Sequence, residues 1–231
     1  MIRDNLKDQN YFLAYIEEEE QRIHKFETKL RDNEVREDRI FNVKRKVFDL
    51  KLQVFIARYS MGEEVESLVA AYKELVVDME ECWSHDQYED MLWMLSIGVM
   101  LEVDRNCFAV LEKLVQQSGV DDVLYHFLLR SPNSHNGTGS WEFDVPFKSL
   151  EAVIGCNDKG EAVTQLKHYL EKKWYIGHQD MGWYECHKHA EKLYFGYWSF
   201  ESGAIAKILE LNDASLAGVS YYPYDMVHFK K

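Results

Sequence analysis

Apolar residues recur every three or four positions along most of the chain, which is the spacing of an amphipathic helix. The third predicted helix shows the pattern best, because one of its faces carries Val65, Leu68, Tyr72, Leu75 and Trp83. Few segments alternate with the period of two that a half-buried strand requires. The pattern predicts helices at about residues 8–31, 33–62, 65–83, 86–102, 104–118, 121–130, 146–155, 158–174, 180–195 and 197–210.

Four residues predict where individual helices begin or end. Asn33 is a candidate cap for the second helix and Asp104 for the fifth, because short polar side chains accept hydrogen bonds from the free N–H groups of a first turn. Gly62 and Gly119 predict the ends of the same two helices, since glycine readily adopts the left-handed conformation that closes many helices.

Two segments interrupt the helical pattern. Residues 131–141 are rich in Ser, Asn and Gly and have no periodicity, so they predict an exposed loop. Pro223 prevents a continuous helix in the tail. The tyrosines around it, Tyr221, Tyr222 and Tyr224, predict a segment that packs back on the body of the protein.

The fold class that follows is all-α, a multi-helix bundle. We expect a small N-terminal helical domain, residues 1–85, packed on a larger C-terminal helical domain, residues 86–231. A chain of 231 residues with 46% hydrophobic residues can bury a substantial core, and this composition excludes a disordered protein.

The chain carries no signal for secretion or for a membrane span. Its N-terminus is polar, and its longest apolar stretch, residues 91–101, is about half the length that crosses a bilayer. The four cysteines are scattered without a CxxC pair, which argues against a disulfide framework or a zinc ribbon. We therefore expect a cytoplasmic protein with free thiols.

Negative charge is concentrated in one part of the chain. The formal net charge is −13, and residues 61–104 hold 12 acidic side chains against one basic one, Lys73. Such a chain is repelled by nucleic acid and by anionic membranes, so its charged partners should be cations or basic proteins. The acidic positions that line one side of the third helix and continue into the fourth are Glu74, Asp78, Glu81, Asp86, Glu89 and Asp90.

The acidic stretch has two interpretations. One is a solvated face that keeps the protein soluble, which is the ordinary role of a charge run. The other is a docking surface for a basic partner, which would relieve the repulsion among stacked carboxylates and would be steered in quickly. On the second interpretation the six carboxylates are the candidate contact residues, and Glu74 and Glu81 should be exposed.

A histidine-rich stretch raises the question of a metal site. It contains His178, Cys186, His187 and His189. His187 and His189 are two positions apart, which on a helix places them on nearly opposite faces, whereas the helical zinc motif needs histidines four apart. The chain also lacks a nucleophile elbow and a glycine-rich phosphate loop. We expect no catalytic residue, no metal and no cofactor, with a helical hydrolase that uses His178, His187 and His189 as the alternative.

Glu201 is a carboxylate surrounded by apolar and small residues. It should be at least partly buried, and it must then find hydrogen-bond donors such as tyrosine hydroxyls or a histidine. We favour a polar clasp inside the C-terminal core. A general acid with a raised pKa is the alternative, and that role would require a cleft.

The last third of the chain resembles a known family. Its most specific part is a W-x-x-E-x-x-A pattern at Trp198, Glu201 and Ala204, followed by Y-Y-P-x-D at residues 221–225. Together with Trp183-Tyr184, His187, His189 and the aromatic run 194–200, these residues resemble the C-terminal signature of the PoNi immunity proteins. Asn212-Asp213 departs from the two acidic residues expected there. The helices before about residue 85 resemble that family's N-terminal domain more weakly.

PoNi proteins are the cognate immunity proteins of PoNe effectors, which are DNA-degrading toxins delivered between bacteria. The resemblance implies an all-helical, non-catalytic protein of the bacterial cytoplasm that inactivates a DNase by binding it. We interpret Trp198, Glu201, Tyr222, Pro223 and Asp225 as determinants of the fold and place the toxin contact among the six acidic residues. A helical scaffold that binds a basic protein other than a nuclease is a further alternative, and a homo-oligomer stays open.

Overall fold

The computed structural model describes residues 2–129 and 139–230, and these residues are mainly helical. They form ten α-helices and no β-strand, which confirms the all-α fold class. A π-helical turn follows the eighth helix, and several short 3-10 turns join the others. The helices are α1 (Gln9–Arg31), α2 (Ile40–Met61), α3 (Val65–Cys82), α4 (Tyr88–Met100), α5 (Arg105–Ser118), α6 (Val123–Leu129), α7 (Glu151–Ile154), α8 (Lys159–Tyr169), α9 (Phe200–Ile208) and α10 (Tyr224–Val227).

Local sequence signals set several of the helix ends. The carboxylate of Asp104 accepts the backbone N–H groups of Asn106 and Cys107 at the start of α5, as its position predicted. Gly62 after α2 and Gly119 after α5 have φ angles of 101° and 73°, the left-handed conformation expected of a closing glycine. These three predictions are confirmed.

Two helix predictions are wrong. Asn33 does not cap the second helix: it has a φ of 56° and lies in the turn after α1, and α2 begins only at Ile40. The intervening residues are mostly exposed, so they bury no apolar face that would hold a helix in place. Residues 180–195 form no α-helix either, because Glu185 has a φ of 58° and only a 3-10 turn, Cys186–Lys188, follows it.

The predicted loop at 131–141 falls mostly outside the described residues, which resume at Gly139. Within residues 2–129 and 139–230, no helix is both long enough and apolar enough to cross a bilayer.

The chain divides into two compact units. The first contains the residues up to Ser84 together with Glu185–Gly196, and the second contains His85–Tyr184 and Tyr197 onwards. The sequence assigned all residues after 85 to the second domain, so the segment Glu185–Gly196 is a correction.

Contacts of two neighbouring residues explain why this segment joins the first unit. The N–H of Tyr194 donates to the hydroxyl of Tyr11 at 3.0 Å, and the Tyr194 hydroxyl bonds the carboxylate of Asp4. The hydroxyl of Ser60 donates to the carbonyl of Phe195 at 3.0 Å. These hydrogen bonds bury an extended stretch of backbone on α1 and α2, which no periodicity in the sequence could indicate.

The first unit is built on three consecutive helices, with α2 between α1 and α3. Ion pairs show that neighbouring helices run antiparallel. Lys51 of α2 pairs with Glu27 of α1, and Arg58, further along α2, pairs with Glu20, which lies earlier on α1. The aromatic residues Phe12, Tyr15, Phe48, Phe55 and Tyr72 are almost fully buried and form much of its core.

The second unit is arranged around α4. Met91, Leu92, Met94, Leu95 and Ile97 are all fully buried. A helix that is apolar all round must be covered on every side. Helix α9 makes the most extensive contact with α4, and α5, α6 and α10 also pack against it.

Helices α4 and α9 and the C-terminal tail meet at Gly203. A Cβ atom at this position would lie 2.5 Å from Sδ of Met100, 2.7 Å from Cγ of Pro223 and 3.0 Å from Cγ2 of Val227. Because Gly203 has no side chain, the C-terminal tail can pack closely against α9 and α4, as its tyrosines predicted. Tyr222 of this tail is only 3% exposed.

Replacing Gly203 by alanine should lower the free energy of unfolding by about 1–3 kcal/mol, because the added methyl group overpacks a filled contact. The matched control is Gly182→Ala, since a Cβ atom there would meet no atom within 4 Å. Urea unfolding of the parent and both variants measures the difference. A Gly203→Ala protein as stable as the parent would show that Met100 and Pro223 yield without cost, contrary to this prediction.

Candidate functional site

The six acidic candidates are divided between the two units. Glu74, Asp78 and Glu81 lie on α3 in the first unit, where Glu74 and Glu81 are exposed and Asp78 is half-buried. The other three lie at or just before the start of α4 in the second unit. The sequence-based expectation that Glu74 and Glu81 are exposed is therefore met.

Lysines of α2 reach two of the three carboxylates on α3. Lys44 Nζ lies 2.6 Å from Glu81 Oε2, and Lys51 Nζ lies 2.9 Å from Asp78 Oδ2. Lys51 also contacts Glu27 of α1 at 2.7 Å. Burial alone would lower the pKa of Lys51, but its bonds to the two carboxylates outweigh burial and raise it. Part of the repulsion inferred from the sequence is thus relieved within the protein itself.

Glu74 has no such partner among the described residues. It lies on the exposed side of α3, one helical turn before Asp78, and α2 places no lysine or arginine in ion-pair contact with it. The next turn brings the exposed apolar residue Val77, which is 62% exposed. The three carboxylates are therefore not equivalent, since only Glu74 is uncompensated.

Glu89 does not lie on the exposed acidic surface. Its side chain is 12% exposed, and its Oε2 accepts a hydrogen bond from Nε1 of Trp183 at 2.8 Å. Burial raises the pKa of Glu89 to about 8, although the Trp183 bond opposes the rise. The interpretation of Glu89 as a surface contact residue is corrected by this placement. The reason is that Glu89 lies on the side of α4 that faces Trp183 and His178, so its side chain points into protein.

Asp86 and Asp90 differ from Glu89. Asp86 is exposed and lies just before α4. Asp90 is half-buried in the first turn of α4, where its carboxylate accepts a hydrogen bond from Nε2 of Gln87 at 3.0 Å. Both stay available as acidic surface residues of the second unit.

His178 faces Glu89 inside the second unit. Its Nδ1 lies 2.6 Å from the carbonyl oxygen of Trp174, which can only accept, so Nδ1 carries the hydrogen. Nε2 then lies 3.4 Å from Oε1 of Glu89. Burial lowers the pKa of His178 to about 4. At neutral pH the pair therefore consists of a neutral imidazole beside a largely protonated carboxyl group.

The other two histidines of the stretch belong to the first unit. His187 is half-buried with its ring 6.0 Å from that of Tyr194, and His189 is exposed. Among residues 2–129 and 139–230, no group of three or more His, Cys, Asp or Glu side chains could hold a metal ion.

Glu201 is fully buried in the second unit and is held by hydroxyl groups. Its Oε1 accepts hydrogen bonds from Ser199 at 2.6 Å and from Tyr169 at 3.0 Å. Oε2 accepts no hydrogen bond of ordinary geometry, although the Trp174 side chain is near enough to help lower the pKa. Burial outweighs these donors and raises the pKa of Glu201 to about 7. The arrangement is a polar clasp, and Tyr169, one of its two donors, also lines a pocket of the second unit.

The remaining signature residues also support the C-terminal fold, with one exception. Trp198 is 8% exposed, and Tyr222 and Pro223 are buried. Asp225 is exposed. Asp213, which the sequence named only in the Asn212-Asp213 pair of the family signature, accepts a hydrogen bond from Tyr222 at 2.6 Å and lies 2.9 Å from Nε2 of His228. No local pattern predicts these contacts, because both partners come from the tail.

Comparison with known proteins identifies two family models that together span most of the chain. The model for the N-terminal part of the PoNe immunity proteins (PoNi) matches residues 3–113, and the model for their C-terminal part matches residues 120–226. No curated protein matches the chain.

A solved structure shares the fold. The crystal structure of protein PA2201 from Pseudomonas aeruginosa superposes with a TM-score of 0.70 over 98% of this chain and 89% of that chain, at 16% sequence identity. At so low an identity this likeness shows the fold alone.

The two buried carboxyl groups should make the protein less stable at alkaline pH. The pKa values of Glu201 and Glu89 are about 7 and about 8, against 4.5 for an ordinary glutamate, so the folded protein holds their protons longer than the unfolded chain. Their contribution to the free energy of unfolding is complete below pH 4.5 and is lost as the pH rises through 7 and 8. His178 opposes this only between its pKa of about 4 and the ordinary value of 6.5, which leaves a net fall above pH 6.5.

Urea unfolding at several pH values between 6 and 9, roughly one pH unit apart, measures how the free energy of unfolding changes. It should fall by a few kcal/mol over this range. The variants Glu89→Gln and Glu201→Gln should each flatten the curve, because an amide does not ionise. The exposed residue Glu151 provides the control, and Glu151→Gln should keep the parent's pH dependence. Equal stability of the parent at pH 6.5 and pH 8.5 would count against the buried, proton-holding state of both groups.

Proposed function

Because the chain belongs to the PoNe immunity proteins (PoNi), we propose that it neutralises a cognate DNA-degrading toxin by forming a direct complex with it. The protein acts as a binding partner and carries out no reaction of its own. Its place of action is the bacterial cytoplasm, where the DNA that it protects is found.

The observation that carries the proposal is the exposed acidic surface of α3. A nuclease must hold polyanionic DNA, so the surface around its active site carries Lys and Arg side chains. An exposed carboxylate that has no ion-pair partner within residues 2–129 and 139–230, such as Glu74, complements that surface. Asp78 and Glu81 lie beside it, and their lysine partners are partly exposed and can exchange for groups of the toxin.

Charge also serves the speed of the interaction. An immunity protein has to reach its toxin before the toxin damages the chromosome. Opposite charges on two proteins raise the association rate constant well above that of neutral surfaces, most strongly at low ionic strength. A net charge of −13 against a cationic nuclease satisfies this requirement.

The buried ionisable groups support folding in this proposal. Glu201, Glu89 and His178 each have one polar atom in a hydrogen bond inside the second unit. His187 and His189 belong to the first unit and make no described cluster with metal-binding geometry. The hydrolase alternative therefore gains no observation in its favour, and a nuclease-binding assay separates the proposal from a scaffold for some other basic protein.

Reversing two charges on α3 should slow association with the toxin. In Glu74→Lys/Glu81→Lys, two carboxylates that attract the nuclease become cations that repel it. The fold should survive, because both positions are exposed and the lost Lys44–Glu81 pair is a surface ion pair worth about 0–1 kcal/mol. Stopped-flow or surface-based kinetics with a candidate nuclease toxin of the PoNe type should show association slower by about tenfold or more at low salt. The parent's association should weaken as salt rises.

The matched control is Glu17→Lys/Glu34→Lys, which makes the same change in net charge at exposed positions of the same unit. It should slow association far less, since only long-range attraction is reduced. Equal effects of the two double variants would mean that net charge matters and the α3 surface does not. Failure of the parent to bind or inhibit the nuclease would refute the proposed function itself.

A further inference from the structure

The first unit contains a small groove that runs between α1 and α3 over α2. Its volume is about 200 Å³. The floor is apolar and is formed by Ile23 of α1, Val54 and Phe55 of α2, and Leu75 of α3. A cavity of this size is below the usual range for small-molecule sites, about 300–1,000 Å³, but it suits a single protruding side chain.

The rim of the groove is charged, and its two cations form ion pairs with carboxylates of this protein. Arg58 pairs with Glu20 at 2.6 Å. Lys51 pairs with two carboxylates that come from different helices, Glu27 of α1 and Asp78 of α3. Each cation at the rim is therefore already matched, and Lys51 is matched twice.

Glu74 also lines the groove, and it is the rim carboxylate that is left without a partner among the described residues. Glu20 and Glu74 are the carboxylates that line the groove, whereas Glu27 and Asp78 do not line it and reach it only as partners of Lys51. The two lining cations, Lys51 and Arg58, are thus both used in internal pairs, and Glu74 is not. A third cation would complete the pairing. The charged end of such a side chain would lie at the edge of the groove beside Glu74, and its methylene groups would pack on the apolar residues below.

We propose that this groove receives one arginine or lysine side chain of the nuclease, with Glu74 pairing its charged end. Long basic side chains suit such a site because their methylene stems pack on apolar surface while their heads stay at its edge. A second copy of this chain is a poorer occupant, since its surface carries the same acidic excess. The inference rests on the proposed function and assigns it a specific anchor point.

Two neighbouring alanines of α3 allow a matched test. Ala71 lines the groove, whereas Ala70 is exposed on the same helix and does not line it. Ala71→Leu should fill the groove and weaken binding of the candidate nuclease toxin by about tenfold or more, mainly through faster dissociation. Ala70→Leu, with the same change in side-chain size and helix propensity, should change the Kd by less than about twofold. Thermal unfolding of both variants checks that the first unit stays folded.

A double-mutant cycle tests whether the groove and Glu74 act on the same toxin side chain. Glu74→Gln removes the charge but keeps the shape, and it should weaken binding on its own. In Ala71→Leu/Glu74→Gln the two losses should be clearly less than additive, because either change alone displaces the same contact. Fully additive losses would overturn the shared anchor.

The outcomes separate this inference from the proposed function. If the parent binds the nuclease and Ala71→Leu binds it equally well, the groove is not the anchor and the proposed function stands. If the parent is a dimer that Ala71→Leu converts to a monomer, the groove holds a second copy and the inference fails. If the parent does not bind the nuclease, the proposed function fails and the anchor fails with it.

Discussion

A helix that is apolar around its whole circumference has to be covered on every side, and the second unit satisfies this constraint for α4. Helices α5, α6, α9 and α10 supply the cover. Gly203 has no side chain, which allows α9 to approach Met100 and the C-terminal tail closely. The signature residues Trp198 and Tyr222 are buried in the same C-terminal region, so the most recognisable part of the sequence belongs to the packing around this core.

Covering α4 also decides what its few polar residues do. Glu89 in its first turn is largely buried and accepts a hydrogen bond from the indole of Trp183 beside His178. Glu201 at the start of α9 is held by Ser199 and Tyr169. Both carboxyl groups keep their protons to unusually high pH because a charged form would be buried. Such groups tie neighbouring segments together, and an unpartnered apolar core could not specify those contacts so closely.

The first unit solves a different problem, which is to hold three long charged helices side by side. Lysines and arginines of α2 reach carboxylates on both neighbours, so most of the charge near the helix contacts is matched internally. A charge that stays unmatched in such a unit is therefore an exception. Glu74 borders the groove between α1 and α3, and it makes no ion pair with any other described residue. Under the proposed function, a carboxylate left uncompensated here would be paired by a basic group of the toxin.

The sequence alone determined the helical class, most helix boundaries and the likeness to the PoNi family. These depend on neighbours three or four positions apart and on local caps such as Asp104, Gly62 and Gly119, so a short window of sequence contains the information. The tertiary structure decided three things that no window contains. It assigned Glu185–Gly196 to the first unit, turned Glu89 inward, and distinguished Glu74 from Asp78 and Glu81. Each of these depends on contacts between side chains that are far apart in the sequence. Such contacts form only when the helices pack together.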